Sequence, residues 1–255
     1  MTLKIDMRDV HKSFGAKQVL RGIDLQVEEG ESLVIIGGSG TGKSVTIKTI
    51  LGLINPDQGE IWVDGKNMVG LRFNERAKLM QKFGMLFQGG ALFDSLNVWQ
   101  NITFALTQGQ QKMDKASAIT LAHQKLEAVG LESRVADLMP SELSGGMQKR
   151  VGLARAIATD PEVIFFDEPT TGLDPIMSDV INDLIVKCRT ELGATCFTIT
   201  HDMASVRKIA TRVAMIHEGK IIWNEPIEKL AHSGNAYVDQ FVHGSKDGPI
   251  QVAGR

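Results

Sequence analysis

The octapeptide GGSGTGKS, Gly37 to Ser44, sets glycines, a lysine and a hydroxyl at the spacing G-x-x-x-x-G-K-[ST]. Those residue types suit a polyphosphate. Backbone N–H groups wrap the β-phosphate, the Lys43 ammonium reaches β- and γ-phosphate oxygens, and the Ser44 hydroxyl ligates Mg²⁺. Gly40 and Gly42 let the backbone curl around the anion, because glycine brings no Cβ. A carboxylate pair follows far downstream, in VIFFDEP. Asp167 ends an apolar run, where a carboxylate holds Mg²⁺ through water, and Glu168 beside it suits the orienting of an attacking water. A third stretch, PSELSGGMQKRVGLARAIATD (140–160), carries Ser144, Gly145 and Gly146 straight into a helical pattern. Helix N-termini expose free N–H groups with partial positive charge, and glycine admits a phosphate closely. No lysine completes a cradle there, so the loop reads as part of a site whose remainder lies elsewhere.

Four further residues carry chemistry only as a set. Gln88 follows GMLF at the carboxyl end of a short strand, where ligands bind in open α/β sheets. Its amide suits Mg²⁺ or the attacking water. His201 follows FTIT in the same way and suits the γ-phosphate or the water; by default a lone histidine is a capping or surface residue. Asp174, in TTGLDP, precedes a helix and is by default an N-cap. Phe14 is by default core.

The elements that must position these groups are legible in outline. SLVII and EVIFF are continuous apolar runs, as expected of strands buried on both faces of a parallel sheet. Residues 3 to 36 read as strands broken by Gly15, Gly22 and Gly30, and a helical pattern follows the glycine loop to about Leu53. Short strands are expected in NPDQGEIWVDGKNM and KFGMLFQ. From about Asn97 to Pro140 the spacing turns helical, as an inserted subdomain would. PIMSDVINDLIVKCRTEL starts a helix on Pro175, ATCFTIT is a strand, HDMASVRKIA a helix, and RVAMIHEGKIIW a strand pair turning at Glu218-Gly219. This alternation predicts an α/β fold, a mainly parallel sheet with an antiparallel edge. At the end, Val238, Phe241 and Val242 make one small apolar helical face before a polar, Gly-rich tail.

Composition narrows the functional classes. The 255 residues are 43% hydrophobic and 23% charged, with net charge −2, which argues against a nucleic-acid groove as the main surface. No apolar run approaches the ~20 residues of a membrane-spanning helix, and MTLKIDMRDV lacks a signal-peptide core, so a cytoplasmic location is expected. Cys188 and Cys196 show no metal spacing and read as buried, reduced thiols.

Lys43 in its loop, Gln88, LSGGM, VIFFDEP, GLDP and His201 occur in the order and spacing of ABC-type ATPase subunits, and the chain resembles that family over nearly its whole length. The resemblance implies a P-loop NTPase of ABC type, hydrolysing ATP with Mg²⁺ held by Ser44, Gln88 and, through water, Asp167. Gly37, Gly38, Ser39, Gly40, Thr41, Gly42, Lys43, Ser44 and Val45 would bind the nucleotide, with Phe14 stacking on adenine. Glu168, His201, Gln88 and Lys43 would be catalytic, His201 as the switch histidine. It also answers the loop without a lysine. Two chains, expected as a homodimer, sandwich two ATP molecules head to tail, so Ser144, Gly145 and Gly146 meet the ATP on the partner's Lys43 while Asp174 bridges the interface. The family usually has Gln where this chain has Met147. Residues 1–93 and 141–232 would form the ATP-binding core, 94–140 the helical subdomain, and 233–255 a C-terminal helix and tail.

GGALFDSL, SELSGGM and the tail QFVHGSKDGP resemble, further, the Mla-type ATPases of bacterial lipid transport. That implies a polytopic permease and a mammalian-cell-entry (MCE) domain protein as partners, no nucleic acid, and a peripheral place on the cytoplasmic face of an inner membrane. A small-solute importer ATPase and a soluble, non-transport ABC ATPase are the alternatives; a nucleotide-binding regulator without hydrolysis is disfavoured by Glu168.

Overall fold

The computed structural model describes residues 2–108 and 112–251. Two compact bodies divide the chain: Met1–Leu71 with Ile199–Arg255, and Arg72–Thr198.

The first body opens with β1 (Leu3–Phe14) and β2 (Lys17–Glu28), an antiparallel pair. In β2, Ile23, Leu25 and Val27 point inward while Asp24 and Gln26 alternate outward, the period-two pattern of a sheet with one wet face. Next come β3 (Ser32–Ile36), buried throughout, and α1 (Lys43–Ile50). Then β4 (Gln58–Val63) and the short β5 (Lys66–Asn67) complete a four-stranded sheet of order β2-β1-β4-β5. So β1 and β2 leave the parallel sheet altogether and build an antiparallel layer of their own.

The second body runs α2 (Phe73–Met80), β6 (Phe83–Leu86), α3 (Val98–Thr107), α4 (Lys115–Ala128), α5 (Gly145–Ala156), β7 (Val163–Asp167), α6 (Pro175–Thr190) and β8 (Thr195–Ile199). Its strands lie in the order β8-β7-β6, with β6 parallel to β7. Phe165 and Phe197 are fully buried, and the Phe165 ring stands 5.4 Å from Phe83 and 5.5 Å from Phe197. Burying each such ring contributes about 1.5–3 kcal/mol. Asn97 caps α3 in a reciprocal box with Gln100. Asn101, fully buried, ties the preceding loop down by donating to the carbonyls of Phe93, Leu96 and Asn97.

The chain then returns to the first body as α7 (Met203–Ile209), β9 (Arg212–His217), β10 (Lys220–Pro226) and α8 (Ala236–His243). β3 and β9 are parallel, and β10 pairs antiparallel at the edge. The expected apolar face of α8 buries Val238 and Val242. The tail is held by one side chain: Gln240 donates to the carbonyls of Ser245 and Ile250 and accepts from the Ile250 N–H. Residues 252–255 of the proposed tail lie outside the described residues. Among the described residues no helix is long and apolar enough to cross a membrane.

One element was unassigned in the sequence, and one default reading changes. α2 carried no assignment, because FNERAKLM is rich in charge and shows little apolar period. Phe14, by default core, is 49% exposed at the end of β1, with the Lys12 ammonium 5.6 Å above its ring.

Candidate nucleotide-binding site

In the first body, Gly37–Ser44 joins a strand with no exposed residue to the N-terminus of α1. Two glycines are required by contact as well as by dihedral. A Cβ at residue 37 (φ +149) would stand 2.3 Å from the Ile216 carbonyl oxygen, and one at residue 42 (φ +113) 2.9 Å from Leu20. The loop is thereby pressed against its own sheet, and its turn stays narrow. Gly42 forms the N-cap of α1 with no side-chain cap, and no acidic residue occupies the first helical turn. That end of the helix carries the positive pole of its dipole with no acidic side chain beside it, an anion seat by construction. Lys43 Nζ donates to Gly37 O (2.7 Å) and Gly38 O (2.8 Å), and Thr41 Oγ donates to Gly38 O (2.9 Å). The ammonium thus folds over the loop it would share with a phosphate. Ser39, Gly40 and Ser44 are exposed, Gly38, Thr41 and Val45 half-buried. Phe14, exposed at the tip of its strand, and His201, exposed after β8, belong to this body. The cap of α7 is Asp202, which accepts from Ala204 N, so His201 is not needed for capping.

The second body carries the remaining candidates. Asp167 ends β7, half-buried, beyond four fully buried residues. Glu168 sits at φ +49, a left-handed conformation uncommon for a residue bearing a Cβ. Its Oε2 accepts from the Thr171 hydroxyl at 3.2 Å. Gln88 is exposed beyond β6. Ser144 caps α5, its Oγ accepting from Met147 N at 3.3 Å, and the first turn holds no acid. Gly145 is exposed and open around its Cα; at Gly146 a Cβ would stand 2.7 Å from Met177 Cε. Asp174 caps α6, accepting from Ile176 N and Met177 N at 3.0 Å each. The N-cap expectation therefore describes its geometry within one chain.

One residue escaped sequence reasoning. Lys149 of α5 is 5% exposed, and its ammonium donates to Gln88 O and, at 3.2 Å, to Glu168 O. Burial pushes its pKa down, opposed by the nearby charges of Glu168 and Asp167. A signal was present: Lys149 falls on the stripe Gly146–Lys149–Gly152–Ala156, where small residues mark a helix face packed against backbone.

These features define a phosphate-binding α/β ATPase, and the match to known proteins agrees. The ABC transporter family model matches residues 20–171, and the chain belongs to that family as one of its ATPases. Over 246 residues it is 40% identical to the intermembrane phospholipid transport system ATP-binding protein MlaF of Escherichia coli, covering 96% of this chain and 91% of that protein. Over 254 residues it is 37% identical to the probable ribonucleotide transport ATP-binding protein mkl of Mycobacterium tuberculosis, covering 99% and 70%. Among solved structures, a dimeric post-hydrolysis state of the ATP-binding cassette MJ0796, bound to ADP and Pi, superposes with TM-score 0.80 at 31% identity, covering 88% of this chain and 98% of that one.

Proposed function

We propose that this ATPase energises a membrane complex that moves phospholipid or a related lipid. The observation that carries the hydrolytic part is the Gly37–Ser44 loop, closed on a buried strand by Gly37 and Gly42 and aimed by an acid-free helix start. In this reading Lys43 binds the β- and γ-phosphates. Phe14, an exposed aromatic at a strand tip, stacks on adenine. Ser44, Gln88 and Asp167 are oxygen ligands of the kind Mg²⁺ takes, and the ion would neutralise charge on the phosphates. Glu168 accepts the proton of the attacking water, with Thr171 fixing one carboxylate oxygen, and His201 steadies the γ-phosphate or the water. Ser144, Gly145, Gly146 and Asp174 act on the ATP of a second copy; the acid-free start of α5 and the dimeric state of MJ0796 support this. Residues 94–140, of which 109–111 lie outside the described residues, are the proposed helical subdomain between the core segments 1–93 and 141–232.

The same reading seats the permease on the second body. An open apolar groove of about 900 Å³ is lined by Phe83, Met85, Phe87, Phe93, Phe104 and Leu106. Phe87 and Phe93 flank the Gln88 turn, so a segment docked there would touch the loop that reaches the nucleotide. The lipid cargo rests on the 40% identity to MlaF across both chains, and the MCE-domain partner and the peripheral place on the cytoplasmic side of an inner membrane rest on the resemblance of GGALFDSL, SELSGGM and the tail to Mla-type ATPases. The name of mkl favours a second reading, a ribonucleotide or other small polar solute, with the same chemistry.

Two variants and one purification test this. Lys43→Ala should weaken ATP binding at least ~10-fold, and Glu168→Gln should retain ATP while hydrolysis falls about 10²- to 10⁴-fold. Unchanged binding in the first, or unchanged turnover in the second, removes that residue's role. Native purification from mildly solubilised membranes should bring a polytopic permease and an MCE-domain protein; a solute permease with a binding protein instead transfers the assignment to the second reading.

A further inference from the structure

Cations of α5 converge on the main chain of two catalytic segments. Lys149 Nζ donates to Gln88 O and Glu168 O, while Arg155 donates to Gly90 O (2.7 Å) and Ala91 O (2.8 Å). The seam beneath them admits no slack. A Cβ at Gly152 would stand 2.9 Å from Leu86 Cδ1 and 3.2 Å from Gly90 Cα, and one at Gly84 would stand 2.3 Å from the Ala156 oxygen. Lys149 therefore emerges from a helix whose depth against β6 is set by backbone contact. Glu168, at φ +49, occupies a conformation that persists only where neighbours hold it. The Lys149 ammonium on its carbonyl is such a neighbour, and it also holds the carbonyl of Gln88.

We propose that Lys149 is a positioning residue for hydrolysis: its buried ammonium clamps the Gln88 and Glu168 carbonyls to α5, the helix that begins with the Ser144–Gly146 loop. The base, the Gln88 amide and the loop offered to the second copy's ATP are thereby fixed relative to one another. This deepens the reading of Glu168 as base and rests on it.

Lys149→Met keeps the length of the stem and deletes every donor. In folded protein, checked by circular dichroism and Tm, kcat should fall about 10- to 100-fold, the consequence of misplacing a base by a fraction of an ångström to an ångström. ATP affinity and KM should stay within about threefold, since binding by the Lys43 loop is untouched. Lys149→Arg, which keeps a charged donor, should recover more turnover than Lys149→Met. In a Glu168→Gln background, Lys149→Met should lower the residual hydrolysis by a much smaller factor than in wild type, because the carboxylate it positions is gone. Wild-type kcat in folded Lys149→Met overturns the proposal. So does parallel loss of kcat, ATP affinity and Tm with no recovery in the arginine variant, the signature of damage to the fold alone. Full hydrolysis by Glu168→Gln itself brings down the underlying assignment of the base, a result distinct from either.

Discussion

Lys43 is tethered by two carbonyls of its own loop. Ordering a free lysine side chain costs up to about 1.5–2 kcal/mol, and part of that cost is met within the folded chain, which favours phosphate capture. Met147 departs from the family's usual Gln, yet the local cap does not use its side chain: its N–H donates to Ser144 Oγ. The cysteines lend themselves to a direct measurement. Burial raises the Cys188 pKa to about 12 and pushes Cys196 higher still, so both thiols stay neutral near pH 8. The thiolate is the reacting species. Native protein should therefore take up no iodoacetamide at pH 8, and urea-unfolded protein should gain two adducts by mass spectrometry. Rapid alkylation of native protein would contradict the burial.

At the scale of elements, α5 and β6 meet where Gly84 and Gly152 bring no side chain of their own. Gly84→Ala would drive a methyl into the Ala156 carbonyl and should destabilise the fold by about 1–3 kcal/mol, read as a lower Tm. Gly89→Ala, with nothing within 4 Å of its Cβ, should leave Tm near wild type. An equal drop in both would mean that the seam is looser than its geometry. The helices and strands with strong period or capping were legible: β3, β7, α3 and α6 each carry an apolar run, a cap or a leading proline. α2 was not, since three of its eight positions are charged and the rest show little apolar period.

The whole-molecule prediction follows from the proposal that the Ser144–Gly146 loop acts on another chain's ATP. Lys43→Ala and Ser144→Arg should each abolish hydrolysis alone. Mixed, they form heterodimers in which one site pairs an intact Lys43 with an intact Ser144, so turnover should reappear on mixing and rise with the proportion of heterodimer. Absence of any recovery, with heterodimers confirmed by native mass spectrometry, would place the Ser144 loop in its own chain's site. In the proposed two-fold dimer both defects of a heterodimer fall in one of the two sites.

Spacing alone determined the chemistry. A lysine one residue before the end of an octapeptide, a carboxylate pair after an apolar run and a Ser-Gly-Gly before a helix are local facts, because each motif is made by consecutive backbone. The order of those motifs is that of the ABC transporter family to which the chain belongs. Tertiary structure decided what consecutive backbone cannot. It moved β1 and β2 into their own antiparallel sheet, exposed Phe14, and gathered six apolar residues into a groove around the Gln88 turn. It also brought Lys149 to carbonyls 61 and 19 residues away in the chain. A hydrogen bond to a main-chain carbonyl leaves no side-chain type at the accepting position, so no pattern at Gln88 or Glu168 could have announced its donor.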